Sequence, residues 1–158
     1  MQKLNPKQEY DLNKIKEFIK ELEYKEIITE KEAKAINPYK ILEFTKSDIW
    51  MELKEAKEIY KEKPFYINIP VKEIYNSEEI EESILVQGII DLYYINKNNQ
   101  IILLDYKTDY IEKGEENKLV ERYKEQLQLY KKALEGALQK KVDKVYIYSV
   151  YLGKKIEI

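Results

Sequence analysis

Cysteine and histidine are both absent from this sequence, and among its 158 residues there are one arginine, four glycines and four prolines. Without cysteine there are no disulfides, thiolate metal sites or cysteine nucleophiles. Without histidine the usual general base and the commonest transition-metal ligand are gone as well. A single arginine, Arg122, leaves almost all positive charge on lysine, so bidentate arginine readout of bases is not how this chain works. An excess of charge of either sign is also missing: 28 basic residues stand against 30 acidic ones. Any site for a polyanion must therefore rest on local charge or a bound metal. No run reaches the ~18 apolar residues of a membrane span, and Met1 to Asn5 has no signal-peptide character, so a cytoplasmic setting without a membrane partner is expected. What remains for chemistry is carboxylate, lysine, tyrosine and hydroxyl. If a metal is used, those groups point to hard, oxygen-loving cations.

The length fits one domain, with 44% apolar residues to build a core and 37% charged residues to cover it. Residues 1–60 read as helical. Asn5-Pro6 offers a cap and an N1 proline before Leu12, Ile15, Phe18, Ile19 and Leu22 at helical spacing. Thr29 and Glu32 match a capping box opening a short helix that Asn37-Pro38 ends, and Ser47 caps a segment carrying Ile49, Trp50, Leu53 and Ala56. From about residue 61 to 158 the period changes to that of strands. "PFYINIPVKEIY" alternates, with Pro70 marking an edge or a break. "NSEEIEES" is a charged connector, and "ILVQGIIDLYYI" and "IILLDYK" are the two strong strands. A polar loop, "TDYIEKGEEN", leads to one amphipathic helix from about Asn117 to Gln139, then the strand "KVYIYSVYL", a Gly-Lys turn and a last short strand. The expected fold class is α/β (or α+β), with a mixed central sheet of four or five strands flanked by helices. The strands from Phe65, Leu85 and Gln100 should form an antiparallel meander, and the long helix should cross over to set the Val145 strand parallel to a neighbour.

The two strong strands carry Asp91, Asp105 and Lys107. Asp105 and Lys107 share a face of their strand. A three-residue loop of Lys97, Asn98 and Asn99 between paired Asn96 and Gln100, with Asn99 in the left-handed position, sets Ile95 against Ile101 and Asp91 against Asp105. Opposed carboxylates repel. A divalent cation between them removes the objection, because Mg²⁺ takes one or two carboxylates and completes its shell with water and phosphate oxygens. Two carboxylates with a nearby lysine suit metal-assisted phosphodiester cleavage. The residues leave a second reading open, in which Lys107 simply pairs with an aspartate on a wet sheet face.

The stretch "VQGIIDLYY…ILLDYKTD…LVERYKEQLQLYKKALE" resembles the C-terminal nuclease domain of AddA-type helicase–nuclease subunits, in the RecB-like branch of the PD-(D/E)XK nucleases. The resemblance runs from about Lys61 to the end. It implies a restriction-endonuclease-like core in which Asp91 and Asp105, with the backbone carbonyl of Tyr106, hold Mg²⁺ (Mn²⁺ as a substitute) and Lys107 is the catalytic lysine. Gln126 and Tyr130, at i and i+4 on one helix face, would reach phosphate or brace Lys107. Glu62, before the Pro-Phe strand start, takes a supporting place, and Thr108 and Asp109 shape the loop. The implied activity is exonucleolytic cleavage of single-stranded DNA, without sequence preference, in double-strand break repair and recombination. The implied partners are a helicase motor in the same parent chain, which alone would need ATP, and a second nuclease subunit. The family also carries a metal-holding histidine on an upstream helix. The opening "MQKLN" resembles the sequence that follows it, so an excised domain with weakened metal binding and feeble activity of its own is expected. Two other readings are a catalytically silent DNA-binding or scaffolding module and a purely structural protein–protein domain.

Overall fold

Four short helices precede the sheet in the computed structural model, which describes residues 1–72 and 82–158. Helix α1 (Leu12–Tyr24) starts at Asp11, whose side chain accepts from the Lys14 N–H at 2.8 Å. Asn5-Pro6 is therefore not its cap. Asn5 Oδ1 instead accepts from the Lys7 N–H in a local turn, leaving the capping to the carboxylate next to the first apolar repeat. Helix α2 (Glu30–Ala35) has the full Thr29–Glu32 capping box. Asn37-Pro38 ends α2 and also opens α3 (Pro38–Phe44), a helix the sequence reading left out, with the Asn37 side chain accepting from Tyr39 N–H. Ser47 caps α4 (Asp48–Glu55).

The strands are β1 (Glu58–Pro70), β2 (Ser83–Ile95), β3 (Ile101–Lys107), β4 (Lys144–Ser149) and β5 (Lys154–Glu157), with α5 (Glu116–Leu138) between β3 and β4. They lie in the order β1-β2-β3-β4-β5. The first three form the antiparallel meander, α5 carries the chain over so that β4 runs parallel to β3, and β5 returns antiparallel. Pro70 closes β1 on the sheet edge, where a missing N–H costs no ladder bond. Most of the charged connector at 76–83 lies outside the described residues.

Strand β3 is buried on both faces, hence its unbroken apolar run. Ile101 and Leu103 join the core under α5, with Leu119, Leu127 and Leu134 of the helix and Val145 and Ile147 of β4. Ile102 and Leu104 join the core under the N-terminal helices, with Phe44, Ile49, Trp50 and Leu53. The helical first third is thus the second cover of the sheet. Phe44 is its anchor, edge-on to Trp50 at 5.3 Å and to Tyr148 at 4.8 Å.

The strict alternation of faces is reset at one place in the β1–β2 ladder. Lys61 pairs with Leu92 and Lys63 with Ile90, while Glu62, between them, takes the left-handed conformation (φ +51°). As a result Tyr60 and Phe65, an odd number of residues apart, both face α5, as do Ile90 and Tyr93. The kink falls at Asp91.

Candidate active site

The hairpin that carries the acidic residues has the expected register. Asn96 N–H donates to the Gln100 carbonyl at 3.0 Å, Asn99 is left-handed (φ +64°), and Ile95 lies opposite Ile101. The ladder continues to Leu92–Leu104, and the next position would be Asp91–Asp105. There the strands part. Asp91 Oδ2 accepts instead from the Tyr106 N–H at 3.0 Å, so its carboxylate sits on the backbone immediately after Asp105. Because of the reset, Asp91 lines a cavity of about 470 Å³ on the N-terminal side with Asn37, Lys40, Ile41, Tyr106 and Thr108. Asp105 and Lys107 turn toward α5. The two carboxylates are therefore brought to one peptide unit of β3 rather than side by side on one face.

Asp105 is 3% exposed. Its Oδ2 lies 2.7 Å from Lys107 Nζ in an ion pair without an aligned hydrogen bond, and has no other polar partner among the described residues. Burial pushes the Asp105 carboxyl above its ordinary value, Lys107 pulls it back, and the Asp91 charge pushes it up again. Lys107 is held from the helix side. Its Nζ donates to Gln126 Oε1 at 3.1 Å and stands 4.1 Å from the centre of the Tyr123 ring. Gln126 Nε2 in turn donates to the Tyr130 hydroxyl at 2.7 Å, and Tyr130 packs edge-on against Phe65 at 5.2 Å. Phe65 sits directly over Gly88, where any side chain would collide with its ring.

The amphipathic pattern of α5 does not single out Tyr123. Its spacing of three from Gln126 was the available signal, since it puts both on one helix face. Tyr123 also donates its hydroxyl to both carboxylate oxygens of Asp109 at 2.9 Å, and Arg122 joins them at 2.6 Å, so the loop after β3 is tied to α5. Burial acts to raise the Asp109 carboxyl, but the bonds from Tyr123 and Arg122 outweigh it and hold it below its ordinary value. Glu62 lies at the kink across from Asp91, exposed and ion-paired to Lys3.

Among the described residues no three of histidine, cysteine, aspartate and glutamate come together as a ready metal cage. Two carboxylates on adjacent strands, one with an oxygen lacking a hydrogen bond, still fit a hard cation that draws its remaining ligands from water and phosphate.

The fold is a five-stranded mixed sheet flanked by helices, with Asp91 on β2, Asp105 near the end of the adjacent β3, and Lys107 two residues further on. The chain belongs to the PD-(D/E)XK nuclease superfamily, whose family model matches residues 2–156. It is similar to a region of the AddA-type ATP-dependent helicase/nuclease protein of Thermoanaerobacter sp. (strain X514), with 42% identity over 160 residues that cover 99% of this chain and 13% of that protein. The protein of the same name from Clostridium novyi (strain NT) is 38% identical over 162 residues, covering 100% of this chain and 13% of its own length. That from Clostridium kluyveri is 43% identical over 138 residues, covering 85% of this chain and 11% of its own. The chain therefore spans only about an eighth of the length of these relatives. Among the described residues no helix is long and apolar enough to cross a membrane.

Proposed function

We propose that this domain is a divalent-cation-dependent deoxyribonuclease, the exonuclease module of a helicase–nuclease acting in double-strand break repair and recombination. Its substrate would be single-stranded DNA delivered by a helicase motor in the same parent polypeptide, beside a second nuclease subunit. The motor alone would consume ATP. The observation that carries this reading is Asp105: a buried carboxylate with an oxygen lacking a hydrogen bond, beside a lysine oriented by a glutamine–tyrosine relay.

Asp91 and Asp105, with the backbone carbonyl of Tyr106, would hold the Mg²⁺ or Mn²⁺. When bound, the cation supplies Lewis-acid stabilisation of the charge that develops on the phosphate. Lys107 contributes a positive charge for a phosphate oxygen, with Gln126 limiting its swing and Tyr130 fixing the Gln126 carboxamide. Glu62 supports the kink from which Asp91 projects. The half-buried setting of Lys107 strengthens its electrostatic contact relative to open water.

Cleavage of supercoiled and single-stranded DNA with Mg²⁺ or Mn²⁺, and calorimetric Mn²⁺ titration, each for wild type, Asp91→Ala and Asp105→Ala, test the reading. Loss of cleavage and of the Mn²⁺ site in the variants, with the fold intact, supports it. A Mn²⁺ isotherm unchanged by both substitutions overturns it. A second reading, a catalytically silent DNA-binding or scaffolding module, is favoured by the want of a third ligand residue among those described. It requires DNA binding with neither cleavage nor a cation site.

A further inference from the structure

Lys107 and Ser149 are register partners at the C-terminal ends of the parallel strands β3 and β4, and the Val150 N–H extends the pairing to the Lys107 carbonyl at 2.9 Å. The two segments that leave this edge each present a tyrosine within three residues. Tyr110 is 69% exposed and Tyr151 43% exposed. Their rings meet edge to face at 4.6 Å. Lys40, from α3, completes the group: its Nζ donates to the Tyr151 carbonyl at 2.8 Å and stands 5.9 Å from the centre of that ring. Lys40 also lines the cavity that contains Asp91 and Thr108, so cavity and aromatic pair adjoin.

Mutual packing does not account for this pair. Each ring leaves much of its surface in water and neither belongs to a core cluster, so their contact removes little apolar area from solvent. Exposed aromatic faces beside a lysine are the means by which proteins hold single-stranded nucleic acid: every base offers a face to stack, and the cation meets the phosphate. Glu43 shares the Lys40 ammonium at 2.9 Å, which holds it at the platform and partly neutralises it. The base-stacking share of the contact therefore outweighs the ionic share.

We propose that Tyr110 and Tyr151 form a stacking platform for a base of the single strand entering the Asp91–Asp105–Lys107 site, with Lys40 beside its phosphate. The platform rests on the nuclease reading for its orientation, but not for the binding it predicts. The test is fluorescence anisotropy, in chelator, with a short oligothymidylate and with an abasic backbone of the same length. Wild type should prefer the oligothymidylate. Tyr110→Ala and Tyr151→Ala should each weaken its binding, by about five- to a hundred-fold where a stacked base is lost, and should abolish the preference. Tyr110→Trp should retain both, and melting temperatures should stay near wild type because the rings are exposed. Equal binding of the two probes by wild type, or unchanged affinity in both alanine variants, overturns the platform. Asp105→Ala separates the two ideas. If it cleaves as wild type does, the nuclease reading fails whatever the tyrosines do. If it loses cleavage but binds normally while the alanine variants also bind normally, only the platform fails.

Discussion

Lys107 Nζ stands 2.7 Å from Asp105 Oδ2, and that buried oxygen has no other polar partner among the described residues. Lys107 is thus the internal counter-ion of Asp105 whenever no cation is bound. Removing it should strand a buried charge, and breaking one side of such a pair costs about 3 kcal/mol or more. Lys107→Met should therefore lower the urea midpoint in chelator, and Mn²⁺ should restore a share of the loss by binding only the folded state. Denaturation curves with and without Mn²⁺ check this. An equal loss under both conditions would show that the cation does not take over the place of Lys107 beside Asp105.

Gly88 carries the same site from the other end. A Cβ there would lie 2.7 Å from Phe65 Cε1 and 2.9 Å from Cζ, and Phe65 supports Tyr130. Gly88→Ala should destabilise the fold by about 1–3 kcal/mol, the usual cost of overpacking. Adding Phe65→Leu should recover part of it, because the clash is with the ring alone. Thermal unfolding of the single and double variants measures the coupling, and strictly additive effects would rule out this contact as the cause.

The sheet, the hairpin register and the place of α5 were legible because period-2 runs, the Asn99 turn and a long amphipathic stripe each point to a single local structure. Asp105 and Lys107 were legible as neighbours from strand alternation, and Gln126 and Tyr130 from i, i+4 spacing, while only the family resemblance implied that the two pairs meet. The direction of Asp91 was not legible. It depends on the left-handed backbone at Glu62, a residue of another strand, and a glutamate at φ +51° has no sequence signal. The start of α1 was misplaced because Asn5-Pro6 has the form of a cap, whereas Asp11, immediately before the first apolar repeat, makes the capping bond. Helix α3 was overlooked because Asn37-Pro38 reads equally well as a stop and as a start.

In the proposed nuclease Tyr130 would act at one remove, through the bond it receives from Gln126 Nε2. Tyr130→Phe keeps the ring on Phe65 and deletes only the acceptor, freeing the carboxamide that holds Lys107. A net hydrogen bond of about 0.5–1.5 kcal/mol corresponds to a roughly two- to tenfold fall in kcat, with KM little changed. Single-turnover cleavage by the variant checks the size. A fall as large as that of Lys107→Met would instead place the hydroxyl on the substrate.

Asp109 gives the site a pH dependence whose sign follows from its partners. The bonds from Tyr123 and Arg122 hold the folded carboxyl below the 3.8 of the free group, even though burial acts the other way. A depressed carboxyl contributes stability that is complete above the unfolded value and is lost as pH falls through the folded one. Wild type should therefore exceed Asp109→Asn in stability by a constant margin near neutrality. That margin should shrink below pH 3.8 and vanish once the folded carboxyl is protonated. Because Asp109 is only partly buried, screening keeps the margin small, on the order of 1 kcal/mol. Urea unfolding of both proteins from neutral pH downward measures it. A margin that widens on acidification would reverse the sign and remove the tie between the β3 loop and α5 as its source.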